Sequence, residues 1–126
     1  MSLKVDPGLM KELEKFGMKD ASKCYHCGNC TAVCPLAEND NTFPRRMIKY
    51  AQMGLAEKIL HSPEPWLCYY CGECSDQCPR GADPGEAMMA MRRYLTAKYD
   101  WTGFSRRFYI SHTFEIIGVI IVALLV

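Results

Sequence analysis

The chain has 126 residues, 49% hydrophobic and 23% charged, an ordinary globular composition that excludes disorder as its overall state. Fifteen Lys and Arg against 14 Asp and Glu leave a formal net charge of +1, so no strong overall field draws nucleic acid, and none is expected as a partner. Eight cysteines stand far above ordinary usage and require disulfides, metal or redox chemistry to explain them.

The segment from Met1 to Asp6 carries no apolar run after a charged start, which predicts no secretory signal peptide and hence free thiolates rather than disulfides. Asp6-Pro7 opens the first predicted helix, with Asp as cap and Pro at the first helical position, and Gly17 closes it. Leu9, Leu13 and Phe16 follow the spacing of one buried stripe, leaving Lys11, Glu12, Glu14 and Lys15 to water. Residues 1–23 are an N-terminal helix and lead-in.

Residues 24–99 are expected to form the central domain. Its cysteines fall in two blocks, Cys24, Cys27, Cys30, Cys34 and Cys68, Cys71, Cys74, Cys78, equal in spacing, 44 residues apart and each followed by proline. This is an internal repeat. Between the blocks, Pro44 opens a helix with Met47, Ile48, Ala51 and Leu55 on one face and Arg45, Arg46 and Lys49 on another, and Gly54 ends it. A loop, Ser62-Pro63-Glu64-Pro65, delivers the chain to Trp66 and the second block. Asp83-Pro84-Gly85-Glu86 resembles a capping box and predicts a helix from Pro84 to Tyr99, with Met88, Met91 and Leu95 on its buried side. No stretch alternates apolar and polar residues as strands do, so the fold class is mainly α.

From residue 100 the composition changes, with Trp101, Phe104, Phe108 and Tyr109 interleaved with Arg106 and Arg107, as at a membrane interface. The apolar run from Ile116 to Val126 has 11 residues, or 19 when extended back to Phe108, against the roughly 20 needed to cross a bilayer. Residues 100–126 are therefore expected to be an interfacial segment and the start of a C-terminal membrane helix, with a buried terminal helix as the alternative. The two arginines put the cysteine domain on the cytoplasmic face of the cell membrane. His112 is left without a role.

Each block reads Cys-x2-Cys-x2-Cys-x3-Cys-Pro, the spacing of bacterial two-cluster ferredoxins. Three thiolates spaced by three residues turn inward onto one iron–sulfur cube if the backbone between them bends freely, and Gly28, Asn29 and Gly72 permit the bends. The fourth cysteine, leaving the loop, serves the opposite cube. Cys24, Cys27, Cys30 and Cys78 are thus assigned to one 4Fe-4S cluster, and Cys68, Cys71, Cys74 and Cys34 to the other. Zinc is the competing reading, but a tetrahedral site does not require a repeated triple with a following proline. With every thiolate committed, no nucleophile is left, and no glycine-rich dinucleotide fingerprint is present, so no catalytic site of the chain's own is expected. One-electron relay is the natural activity. His26 reads as an exposed loop histidine rather than a proton-coupled group, Tyr25, Tyr69 and Tyr70 as cluster shields or ordinary packing, and Arg45, Arg46, Arg92 and Arg93 as solvated helix faces.

The run Cys-Tyr-His-Cys-Gly-Asn-Cys-Thr-Ala-Val-Cys-Pro from residue 24, Arg-Arg-Met-Ile-Lys-Tyr-Ala-Gln-Met-Gly-Leu from residue 45 and Cys-Pro-Arg-Gly-Ala-Asp from residue 78 resemble the heterodisulfide reductase C-subunit family. With its tail, the chain is similar to the N-terminal part of the C-subunit of quinone-interacting membrane-bound oxidoreductase complexes. That resemblance implies an α-helical ferredoxin-like domain holding two 4Fe-4S clusters, fused to a haem b membrane domain. It further implies electron relay in an anaerobic respiratory complex, between menaquinone and flavin/iron–sulfur subunits resembling the A-subunit of heterodisulfide reductase, with adenylylsulfate reductase as end user. Haem b and menaquinone would belong to the membrane part, which these residues only begin. A soluble heterodisulfide-reductase-type relay is the alternative, and a structural cluster in a binding module is a more distant one. The iron–sulfur subunit of succinate dehydrogenase is discounted because only 23 residues precede Cys24.

Overall fold

The computed structural model describes residues 4–37 and 41–126, which are helical and loop throughout, with no strand among them. Helix α1 (Leu9–Glu14) starts later than Pro7 because Asp6 Oδ1 accepts the Gly8 N–H at 2.8 Å, closing a turn that makes Gly8 the cap. Leu9 and Leu13 are fully buried, and Phe16, just past the helix end, packs edge-on to Tyr94 at 5.9 Å.

After a 3-10 turn (Ala21–Lys23) and the first cysteine block with its short α2 (Asn29–Ala32), helix α3 (Arg45–Gln52) buries Met47, Ile48 and Ala51. It stops at Gly54, whose carbonyl accepts the Asp6 N–H at 2.8 Å. A Cβ on Gly54 would lie 2.3 Å from the Asp6 carbonyl oxygen, so only glycine lets the two backbones cross. Helix α4 (Ala56–Leu60) adds Ile59 to the core, and α5 (Glu64–Leu67) leads to the second block, which holds α6 (Glu73–Asp76).

Helix α7 (Pro84–Tyr99) is the central strut, packing against α1, α3, α5 and α6. Met88, Met91 and Leu95 are fully buried on it, on the side the sequence predicts. Half of the expected capping box forms: Asp83 Oδ1 accepts the Glu86 N–H at 3.2 Å. The Glu86 carboxylate does not reach back to Asp83 but pairs with Arg93 at 2.6 Å and accepts from the Tyr70 hydroxyl at 3.3 Å.

The tail departs from the expected start of a continuous membrane helix. Instead α8 (Phe104–Ile110) and α9 (His112–Leu125) meet at a 107° bend, and among the described residues no single helix is long and apolar enough to cross a membrane. The bend centres on Ser111, extended at φ −104° and ψ 107°, whose carbonyl accepts the Phe114 and Glu115 N–H groups that begin α9. Phe108 lies against Gly118, folding α9 back onto α8. The pair together has the length and composition of a broken span.

Candidate metal centres

The sequence repeat is also a backbone repeat. Gly28 and Gly72 adopt φ values of +92° and +89°, and two residues before each, His26 and Tyr70 take +63° and +57°. Each glycine turns the chain into a short helix, α2 or α6, and these two helices pack against each other. The third cysteine of each block, Cys30 or Cys74, sits on that helix at 7% and 8% exposure, whereas the second, Cys27 or Cys71, faces solvent.

The thiols group across the blocks. Burial raises the Cys30 pKa, and the charges that add to it come from Cys24, Cys27 and, from the other block, Cys78. Burial likewise raises Cys34, followed by the opposing backbone N–H of Leu36 and then the charges of Cys68 and Cys71. Burial pushes Cys74 up to about 11, against the opposing hydrogen bond of Ser75, with the charges of Cys68, Cys30 and Cys34 adding in that order. A narrow cavity of about 20 Å³ is lined by Cys34, Cys68, Cys71 and Cys74 together with Phe43, Tyr69, Tyr70 and Met88. Zinc would hold its thiolates about 2.3 Å from one point, and among the described residues no three His, Cys, Asp or Glu side chains converge so. Four thiols drawn from both blocks border this one space, and thiolates are the donor set that iron–sulfur groups take.

Neighbouring side chains fix the loops. Gln52, on α3, donates from Nε2 to the carbonyls of Ala21 at 2.8 Å and Cys24 at 3.0 Å, while its Oε1 lies 2.6 Å from His26 Nε2. His26 is therefore half-buried and anchored, with Nδ1 4.0 Å from Cys24 Sγ, rather than an exposed loop histidine. Arg92, on α7, performs the same task for the second block, donating to the carbonyls of Pro65, Trp66 and Cys68. Arg46 pairs with Glu64, and Arg93 donates to the Phe16 carbonyl at 2.9 Å. These arginines are thus structural ties rather than free faces. Gln52 and Arg92 are the residues sequence reasoning missed, because nothing in local periodicity marks a side chain for a carbonyl 24 or more residues away. Tyr25, Tyr69 and Tyr70, expected as cluster shields or ordinary packing, are 58%, 62% and 52% exposed, so none of them is packed into the core.

A helical body whose two equivalent cysteine blocks turn through left-handed glycines into the packed pair α2 and α6 has the frame of a dicluster iron–sulfur protein. Residues 20–82 match the 4Fe-4S dicluster domain family. The chain is 35% identical over 88 residues to a heterodisulfide reductase C-subunit-like protein of Archaeoglobus profundus, covering 69% of this chain and 47% of that one. It is 35% identical over 75 residues to the iron–sulfur C-subunit of the CoB–CoM heterodisulfide reductase of Methanopyrus kandleri, covering 60% and 39%. A further relative, the C-subunit of the H2:CoB–CoM heterodisulfide, ferredoxin reductase of Methanothermobacter thermautotrophicus, is 30% identical over 63 residues, covering 50% and 34%. The chain belongs to the 4Fe-4S dicluster domain family and, within it, to the heterodisulfide reductase C-subunit family. It spans less than half the length of these curated relatives.

Proposed function

We propose that this chain is the electron-transfer part of a heterodisulfide-reductase-type complex, with Cys24, Cys27, Cys30 and Cys78 holding one 4Fe-4S cluster and Cys34, Cys68, Cys71 and Cys74 the other. The observation that carries the reading is the crossing of the blocks: Cys34 lines one cavity with the second triple, and Cys78 acts on Cys30 of the first. When bound, the two clusters supply storage for one electron each. The protein's own residues set the conditions for that storage. Gln52 and Arg92 hold the entry to each block, so the thiols that follow are presented from a fixed backbone. Gly28 and Gly72 turn each loop into the short helix that carries Cys30 or Cys74, and both of those thiols are buried from water. Cys27 and Cys71 remain at the surface, where a partner's redox group can approach.

Anaerobic iron and sulfide analysis with low-temperature electron paramagnetic resonance tests this. About eight iron and eight labile sulfide per chain, with two magnetically interacting centres, is the expected result; stoichiometric zinc without sulfide would overturn it.

The finer reading adds a membrane. In α9, Ile116, Val119, Ile120 and Leu124 are all exposed, and Arg106 and Arg107 flank them on α8. This supports a cluster body held at the cytoplasmic face of the cell membrane, relaying between a menaquinone and haem b module beyond these residues and flavoprotein subunits resembling the A-subunit of heterodisulfide reductase. Flotation with anionic liposomes is expected for the whole chain and lost on removal of residues 104–126; recovery of the whole chain away from lipid would leave the soluble relay standing.

A further inference from the structure

The repeat makes the two centres a controlled comparison, since positions 44 residues apart occupy equivalent places. Directly after the left-handed glycine the first block has Asn29 and the second Glu73; three residues on stand Ala32 and Asp76. Glu73 lines the cavity of the second thiol group, and Asp76 reaches within 4.0 Å of the point where a Gly72 Cβ would be. After the fourth cysteine and its proline the equivalents are Leu36 and Arg80, and because the blocks cross, each serves the other block's centre. Leu36 lines the second cavity. Arg80 stands 6.0 Å from the ring of Tyr25, the chain neighbour of Cys24 in the first group. Arg45 adds a second cation there, its Nη1 3.5 Å from the His26 carbonyl. Arg92 opposes the trend at the second block, but one cation there faces two carboxylates. Burial acts in the same direction: Cys68 is 9% exposed, whereas its equivalent Cys24 is only half-buried.

Adding an electron makes a cluster more negative, so nearby cations and solvent favour the reduced form while anions and burial oppose it. We propose that the centre of Cys24, Cys27, Cys30 and Cys78 has the higher reduction potential, so that the first electron to enter the pair rests there. This rests on the dicluster assignment above. Each reduction adds one electron, taken from a one-electron donor, and no bond forms or breaks. Electron flow through the chain then runs downhill from the second centre to the first.

The test is an anaerobic potentiometric titration of the full chain, loaded with iron and sulfide and followed by electron paramagnetic resonance, using dithionite as reductant. Arg80→Gln and Glu73→Gln are compared with the unaltered chain; both side chains are exposed, so the fold tolerates the changes. Arg80→Gln is expected to lower the upper step and Glu73→Gln to raise the lower one, each by up to roughly tenfold in occupancy, ~59 mV for one electron. Arg80→Gln lowering the lower step, Glu73→Gln raising the upper, or both variants leaving both steps in place overturns the ordering while the two-cluster reading stands. An unaltered chain without two such centres by iron and sulfide analysis removes that reading and the ordering with it.

Discussion

The cluster body and the tail are built from similar apolar residues, yet they treat them in opposite ways. Leu9, Met47, Ile48, Ile59, Met88, Met91 and Leu95 are fully buried, whereas α8 and α9 bury none of theirs and Leu124 is 81% exposed. The difference lies in patterning. In α3 the apolar residues form one stripe, and in α7 they face α1, α3, α5 and α6, so neighbouring helices cover them. In α9 the run Ile116 to Val126 is apolar on every side, and no single packed face can cover it. A striped helix finds its solvent exclusion inside a small domain, while an all-round apolar helix requires an apolar medium or several neighbours.

Core truncation sharpens this contrast most. Met91→Ala and Leu95→Ala are each expected to cost about 2–5 kcal/mol, since both side chains are fully enclosed. Val122→Ala, at 62% exposure, is expected to stay within about 0.5 kcal/mol in detergent-free solution. Anaerobic chemical denaturation of the loaded protein measures all three, and an equal loss from Val122→Ala would show that the tail packs into the body. The next effect is smaller and belongs to the backbone: Gly54→Ala puts a methyl against the Asp6 carbonyl at a φ of +71°, which is expected to cost more than about 1 kcal/mol and to loosen α1 first. Hydrogen exchange at the Asp6 amide reads this directly.

The same contrast shows what a sequence exposes to inspection. The bounds of α7, the buried faces of α1 and α3 and the equivalence of the cysteine blocks are legible because each rests on spacing within a few turns of chain. The crossing proposed for the fourth cysteines rests on the spacing rule of two-cluster ferredoxins, since nothing local distinguishes Cys34 from a fourth ligand of its own block. The anchoring of His26 by Gln52 and the grip of Arg92 on the Cys68 carbonyl were not legible, because they join residues 26 and 24 apart through the tertiary fold. Nor was the bend at Ser111: Ser111, His112 and Thr113 interrupt the apolar residues there, but only the extended dihedral of Ser111 turns that interruption into a change of direction.

A smaller perturbation tests the seam between body and tail. Glu12 of α1 receives Lys98 of α7 at 3.4 Å and Arg106 of α8 at 3.2 Å, so one carboxylate ties three helices. Both cations are well exposed, and Glu12→Gln is expected to cost only about 0.2–1 kcal/mol, an effect that shrinks as salt rises. Its clearer signature is local, as faster exchange in α8 with α7 unchanged; equal loosening of both helices would mean that the seam is part of the core.

The smallest effect concerns acid, and its sign follows from the turn between α7 and α8. Asp100 accepts the Thr102 hydroxyl and the N–H groups of Thr102 at 2.9 Å and Ser105 at 2.6 Å, bonds that hold its carboxyl well below the usual carboxylate range. A pKa depressed by folding contributes stability that is complete above the unfolded value and is lost as pH falls through the folded one. The turn is therefore expected to hold through mild acid and to release α8 only below the pH at which free aspartate protonates. Trp101, 94% exposed beside the turn, reports that release by fluorescence. Asp100→Asn removes the charge and most of the dependence on pH, so a midpoint unchanged in this variant would place the acid response elsewhere. Since Asp100 lies in the turn after α7 and outside the buried core, such a loss frees the tail while the body keeps its fold, which is the division that the buried and exposed apolar residues draw.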